Sequence, residues 1–387
     1  MDFSLTKEQR MLLDSIRMLG KRENLKELAA EVDRTGEFPR SLIAKYAEMG
    51  LLGMVLPSAY GGQDMDSLTA VLAIEELAKF SPVIASPVFE SNVGPVRVIS
   101  MFGTEAQKQA VLPGVCQGKL SVSVAMTEPN AGSDLTSLTT ELVDKGEYYL
   151  LNGQKTFISG GGEASHYLVY SRFEGVQGYK GIGAVLVLKG VNGFGFGKQE
   201  QFMGLRGMPS CDLIFNDVKV PKSDVVIEQG KFKNLMLTFD IERCGNAAMC
   251  LGVAGSAFEE ARHYASERKA FGRAICEFQA IQFLLADMAM QLDAARLLVY
   301  RAASGAGQGL PSVYEASMAK CHANEMVKEV TDKAMQVFGG YGYSNEYPLE
   351  RLLRDGRAWG VAGGTLQMLK VTLASMIFGR RFDQRKG

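Results

Sequence analysis

Hydroxyl and aromatic side chains able to clamp a flat, carbonyl-rich ring lie on two short stretches, Met126-Thr-Glu-Pro-Asn-Ala-Gly-Ser-Asp134 and Asn152-Gly-Gln-Lys-Thr-Phe-Ile-Ser-Gly160. Each follows a β-rich run and is built of small, polar, turn-forming residues. In the first, Asn130-Ala-Gly-Ser133 is expected to turn tightly. Gly132 would take backbone angles that other residues resist, exposing N–H groups and the Ser133 hydroxyl to an anionic or carbonyl-rich group. Thr127 and Ser159 add hydroxyls that donate or accept, and Phe157 adds a flat apolar face. Such a clamp suits an isoalloxazine ring. Taken alone, the two stretches read equally well as ordinary turns of a β-domain.

A clamp of this kind needs a scaffold. The 387 residues suffice for two or three domains with large cores. With 42 basic residues against 43 acidic ones, no broad attraction to nucleic acid or to a membrane surface is expected. The six cysteines are scattered, without Cys-x-x-Cys and without a Cys/His grouping at metal-ligand spacing, so no metal is expected. Reduced cysteines, the lack of a basic-then-apolar leader at the N-terminus and the lack of an apolar run of about 18 residues imply a cytoplasmic protein with no membrane span.

The hydrophobic period divides the chain in three. Thr6 with Gln9, and Thr104 with Gln107, make capping boxes, the first in front of Met11, Leu12, Ile16 and Leu19 at helical spacing. Pro39 opens a further helix with Leu42, Ile43, Tyr46 and Met49 on one face, and 67–80 is another. From 120 to 221 the chain turns to short β-type runs at 121–127, 148–151, 167–171, 182–188 and 213–220. No helices lie between them, which implies a β-barrel or sandwich rather than a parallel sheet. Helical spacing then returns, with long helices expected at 246–271, 278–304 and 312–338; the first is rich in Ala and Gly, which lets a neighbour approach closely. The fold class is α+β multidomain: an N-terminal α-helical domain (1–119), a middle β-domain (120–228) and a C-terminal four-helix bundle (229–387).

This order, with Thr127-Glu-Pro-Asn-Ala-Gly-Ser-Asp134, Glu267-Arg-Lys-Ala-Phe-Gly272, Phe278-Gln279 and Gln336-Val-Phe-Gly-Gly340, resembles the acyl-CoA dehydrogenase family over essentially the whole chain. The resemblance implies FAD as cofactor, an acyl-CoA substrate, a homotetramer, and electron-transfer flavoprotein as electron acceptor. It implies that Met126, Thr127 and Ser133 contact flavin and CoA at a strand end. Phe157, where family members usually carry Trp, would cover the flavin, and Ser159 would lie near its reactive nitrogen. Arg268, Phe271, Gln279, Gln336 and Gly340 match positions that hold the FAD pyrophosphate and adenosine, partly across a subunit boundary, and Thr365 and Gln367 match further FAD contacts. A guanidinium suits a pyrophosphate because it pairs two oxygens at once. Alone, Arg268 reads equally as a surface ion pair with Glu267 or Asp287.

Desaturating a thioester at Cα–Cβ needs a base for the α-proton while the β-hydrogen leaves as hydride to a flavin. Many members of the family place a Glu before a Gly-Thr pair near the C-terminus. Here that stretch is Val361-Ala-Gly-Gly-Thr-Leu-Gln367, and Gly363 stands at the position of the base. Members resembling isovaleryl- and long-chain acyl-CoA dehydrogenases carry the Glu after the β-domain instead, where this chain has Phe239-Asp-Ile-Glu-Arg243. The resemblance therefore makes Glu242 the base, with Phe239, Asp240 and Arg243 as substrate or CoA contacts. The plainer reading of Glu242 is an acidic residue in the first turn of a helix, favoured by the helix dipole. Glu90 lies in a region that in this family faces the acyl pocket, where it would meet a polar acyl group; as sequence it reads first as a solvated loop residue. Rival functions on the same scaffold are an acyl-CoA oxidase, an enoyl-CoA reductase, a C–S lyase resembling the sulfinopropionyl-CoA desulfinases, and a non-enzymatic scaffold protein.

Overall fold

Both expected capping boxes are present in the computed structural model, which describes residues 4–307, 309–382 and 384. Thr6 Oγ1 accepts from the Gln9 amide while the Gln9 side chain accepts from the Thr6 amide, and Thr104 with Gln107 repeats the pattern. They open the first and last helices of the series α1 (Lys7–Arg22), α2 (Leu25–Thr35), α3 (Ser41–Glu48), α4 (Ser67–Ala78), α5 (Pro82–Asn92), α6 (Val96–Phe102) and α7 (Glu105–Cys116). The segment around Glu90 is thus helix and not loop. Ser81 caps α5 by accepting from the Val83 amide at 3.1 Å, and Pro82 fills a first-turn position whose N–H would lack a helical partner anyway. Pro87, inside the helix, has no N–H for the Val83 carbonyl. The Ser86 hydroxyl donates to that carbonyl instead, at 2.8 Å, so the helix continues.

The middle of the chain forms one eight-stranded sheet from β1 (Val122–Ala125), β2 (Glu141–Asp144), β3 (Tyr148–Ser159), β4 (His166–Phe173), β5 (Ile182–Leu188), β6 (Phe194–Gln199), β7 (Ser210–Pro221) and β8 (Val225–Ile227). Its order is β6-β7-β3-β2-β4-β5-β8, with β1 also beside β4; only β1 and β2 run parallel to β4. Both faces of β4 are buried. Tyr167 and Val169 join a core with Leu151, Ile158 and Phe215, while Leu168 and Tyr170 pack with Leu112, Val115, Leu235 and Phe239 from the flanking helices.

Helix α8 (Phe232–Glu267) starts earlier and stops earlier than the 246–271 expected. A two-stranded hairpin follows, β9 (Lys269–Ala270) and β10 (Arg273–Ala274), turned by Phe271 at φ +51° and Gly272 at φ +85°. Positive φ at both turn positions is what a tight hairpin demands, and an aromatic residue in the first hides the turn from sequence. Then come α9 (Gln279–Ala306), α10 (Val313–Phe338), α11 (Leu349–Ala358) and α12 (Leu366–Ile377). The glycines of α8 do admit close neighbours. A Cβ on Gly252 would lie 2.5 Å from Ala78 of α4, and one on Gly245 would lie 2.5 Å from Val93, just beyond α5. No helix of the described residues is long and apolar enough to cross a membrane.

Candidate active site

Beyond β1 the chain leaves the sheet through Met126 and Thr127. The Glu128 and Ala131 amides and carbonyls then bond each other in both directions, at 3.0 and 3.1 Å, so the tight turn is centred on Pro129 and Asn130. Gly132 is not a positive-φ residue, against expectation; its contribution is space, with no atom within 4 Å of where a Cβ would be. Beneath the turn lies a buried ion pair that sequence reasoning missed. Lys155 Nζ sits 2.8 Å from Glu128 Oε1 and 3.0 Å from the Met126 carbonyl, and Glu128 also accepts from Thr139 and Thr140. Burial raises the Glu128 carboxyl, but the Lys155 ammonium and these hydrogen bonds outweigh it and hold it at about 2. Burial pulls Lys155 down to about 8 against the attraction of Glu128, so both stay charged at neutral pH. The only hint in sequence was one Lys inside an otherwise strand-like run.

This pair ties the strand end to β3, as does the Thr156 amide donating to the Thr127 carbonyl at 2.8 Å. Phe157 follows in a bulge of β3 at φ +58°, a strained conformation for an aromatic residue, and is 57% exposed. Ser159, two residues on, is exposed while Ile158 between them is buried, so Phe157 and Ser159 present one outward face. Met126 and Thr127 are half-buried and Ser133 is exposed. The ring of Phe202 lies 6.3 Å from that of Phe157.

Glu242 lies on α8 well past its first turn, which removes the helix-dipole account of it. Gly363 approaches it from the loop before α12, at φ +65°. A Cβ on Gly363 would stand 3.3 Å from Glu242 Oε1 and 3.2 Å from Lys320 Nζ. The Glu242 carboxylate therefore already reaches the space a side chain at 363 would enter. Lys320, fully buried on α10, donates to the carbonyls of Ala362, Gly363 and Gly364. Asn246, itself held by Asn324, donates to the carbonyls of Trp359 and Ala362. Burial raises Glu242 to about 7 against the opposing charges of Lys320 and Arg243.

The other carboxylates divide. Glu90, on α5, is half-buried, and desolvation first and the Glu242 charge second raise it to about 8; the solvated-loop reading is thereby corrected. The buried Tyr170 hydroxyl has no hydrogen-bond partner and feels the Glu242 charge, while its ring meets Phe239 edge-on at 6.3 Å. Asp240 is only 1% exposed and its carboxylate accepts from Arg243, so the expected CoA contact at Asp240 is turned inward; Arg243 keeps a free Nε. Gly363→Ala is expected to add strain of about 1–2 kcal/mol from the left-handed backbone and to push a methyl between the Glu242 carboxylate and the Lys320 ammonium. Turnover should fall with flavin retained, which initial rates and visible spectra check.

At the far end of α8 a cavity of about 720 Å³ is lined by Arg268, Phe271, Phe278, Gln336, Gly339 and Gly340, among others. Neither expected ion pair of Arg268 forms: Glu267 lies by His263 and Asp287 by Lys333. The Arg268 guanidinium instead sits 5.9 Å from the Tyr341 ring centre. Arg268 pairs with no carboxylate among the described residues, although Glu346 also lines the cavity, and a cation left unpaired in an open cavity suits a phosphate-bearing ligand. Gln279, at the start of α9, is exposed and not among the residues lining the cavity. Thr365 caps α12 by accepting from the Met368 amide, with Gln367 exposed beside it, well apart from the Phe157 face in sequence.

Comparisons with known proteins cover the whole arrangement. Family models described as the N-terminal, middle and C-terminal domains of acyl-CoA dehydrogenase match residues 6–119, 123–218 and 231–378. A short-chain-specific acyl-CoA dehydrogenase of Clostridium acetobutylicum is 38% identical over 98% of this chain and 100% of its own. The caffeyl-CoA reductase-Etf complex subunit CarC of Acetobacterium woodii is 39% identical over 96% of this chain and 98% of its own. The structure of butyryl-CoA dehydrogenase from Megasphaera elsdenii superposes with a TM-score of 0.94 at 38% identity, covering 98% of this chain and 100% of the other.

Proposed function

The chain belongs to the FAD-dependent acyl-CoA dehydrogenase family, and from that premise we propose that it desaturates a short-chain acyl-CoA between Cα and Cβ with Glu242 as base. The observation that carries the choice of base is the Glu242 carboxylate oxygen 3.3 Å from the side-chain position at Gly363. Bound FAD supplies the acceptor for the β-hydrogen and its electrons. Glu242 takes the α-proton, and its raised proton affinity makes it a stronger base than a solvated carboxylate while leaving much of it ionised near neutrality. Met126, Thr127, Ser133, Phe157 and Ser159 hold and orient the flavin ring and thioester. Arg268, Phe271, Gln336 and Gly340 hold the dinucleotide end, with Gln279, Thr365 and Gln367 reaching it from outside that cavity, as a subunit boundary allows. Phe239 and Arg243 line the approach to the base.

Exposed apolar side chains on the bundle, among them Phe283, Met290, Ile377 and Phe378, favour a homotetramer. Electron-transfer flavoprotein as acceptor is supported by the Etf complex named for the Acetobacterium relative. Free, mostly buried cysteines favour the cytoplasm. That same relative's name supports a second reading, reduction of an enoyl-CoA by the same groups run in reverse. Turnover of saturated short-chain acyl-CoAs with an artificial electron acceptor under argon tests the proposal. Enoyl-CoA product matched to acceptor reduced supports it; no reaction there, with enoyl-CoA consumed by a reduced dye, overturns it in favour of the reductase.

Two further outcomes follow. Because the base acts ionised, kcat/KM should rise with pH through about 7 and then level; a flat profile from pH 5 to 8 contradicts Glu242 in this role. Arg268→Gln should weaken FAD binding by roughly 10- to 100-fold, the loss of a charged hydrogen bond of about 1.5–3 kcal/mol. Flavin retained on dilution and gel filtration measures it.

A further inference from the structure

We propose that Lys320 is a positioning residue for the reaction, fixing the 362–364 loop beside Glu242 and favouring the ionised form of that carboxylate without bonding to it. This rests on the reading of Glu242 as base. A fully buried ammonium is costly unless an anion or several aligned dipoles satisfy it. An ammonium has three protons, and the carbonyls of Ala362, Gly363 and Gly364 take all three. No salt bridge joins Lys320 to a carboxylate among the described residues, yet Nζ and Glu242 Oε1 lie within 3.3 Å of the same point, the Cβ position of Gly363.

The arrangement has a chemical use. A lysine donating directly to Glu242 would occupy one of the carboxylate lone pairs and weaken the base further. With its protons spent on the loop, Lys320 acts on Glu242 through space and leaves the carboxylate oxygens free. Of the other charged groups facing Glu242, Arg243 also favours its ionised form, but less than Lys320 does. Arg243 is turned to Asp240 on the same helix, while Glu90 from α5 and the Tyr170 hydroxyl from β4 offer no positive charge. Around Lys320 itself, Arg243 opposes its charge, and Cys250 and Cys321 are the other titratable neighbours.

The test compares wild type, Lys320→Met, Lys320→Gln and Glu242→Gln as flavin-loaded enzymes, by two readouts across pH 5.5–9.5. One is kcat/KM for a short saturated acyl-CoA. The other is exchange of its α-hydrogens with D2O followed by proton NMR, which needs the base but no electron acceptor. Removing the cation should move the acid limb of both profiles up by about one pH unit or more, with the rate at pH 9.5 falling less than tenfold. Lys320→Gln, which keeps two of the three donors on a side chain one atom shorter and removes the charge, decides the matter if Lys320→Met does not retain flavin. An unmoved limb in either flavin-loaded variant overturns the proposal, and so does loss of flavin in both, which marks a purely structural cation. If Glu242→Gln itself keeps wild-type exchange, the reading of the base has failed; if it is inert while the Lys320 variants titrate like wild type, this inference alone has failed.

Discussion

Glu242→Gln is expected to lower turnover by about 10²- to 10⁴-fold, the range contributed by a positioned general base, while leaving the flavin bound. The substitution removes one ionisable group and almost no volume, so the packing around Gly363 keeps its shape. At neutral pH the other described carboxylates are poor substitutes. Glu90 is held protonated chiefly by burial, and Asp240 accepts from Arg243. Part of the activity returning to Glu242→Gln toward alkaline pH would identify Glu90 as the substitute, since burial still raises it while loss of the Glu242 charge lets it ionise more readily than in the wild type. The measurement is kcat with flavin content determined on the same samples, and activity within twofold of wild type at pH 7 would remove Glu242 from the chemistry.

The second large effect is on stability. Lys155→Met should cost about 3–5 kcal/mol, because it leaves the Glu128 carboxylate buried without its counter-charge. The Met126 carbonyl loses its donor at the same time, so the strand end that carries Thr127 toward the ring face loosens. A markedly lowered thermal midpoint and faster flavin loss are expected together. Lys155→Met combined with Glu128→Gln should recover part of the loss, since the unpaired charge is then gone. A single variant that melts within a degree of wild type would show that the pair contributes nothing.

What sequence could disclose of this protein depended on how local each device is. The capping boxes were legible because both halves lie within four residues of each other. Helix α5 was not, because Pro87 reads as a breaker and the compensation by Ser86 exists only once the helix forms. Strand β3 was cut short at Asn152-Gly153, which has the look of a turn; Gly153 is instead a bulge at φ +143°, where a Cβ would fall 2.5 Å from the Thr140 hydroxyl. The hairpin after α8 was hidden by Phe271 at positive φ.

The site shows the same division. Glu242 could be proposed as the base because a residue type was missing at Gly363 and the alternative position was filled, which is a pattern in types and order. That the two positions meet in space, with Lys320 between α10 and the loop, joins residues far apart in the chain that form no motif. Where Asp240 points was not legible for a related reason. Its spacing from Arg243 puts both on one helix face, and in the folded protein they satisfy each other.

The most direct test is anaerobic mixing of the flavin-loaded protein with saturated acyl-CoAs of increasing chain length, recording the visible flavin band in wild type and in Glu242→Gln. The account predicts rapid bleaching of the wild type by short-chain thioesters, with enoyl-CoA formed in equal amount, and no bleaching of Glu242→Gln on the same timescale. Equal bleaching of both proteins would contradict the assignment of the base, and no bleaching of the wild type by any saturated thioester would contradict dehydrogenation itself.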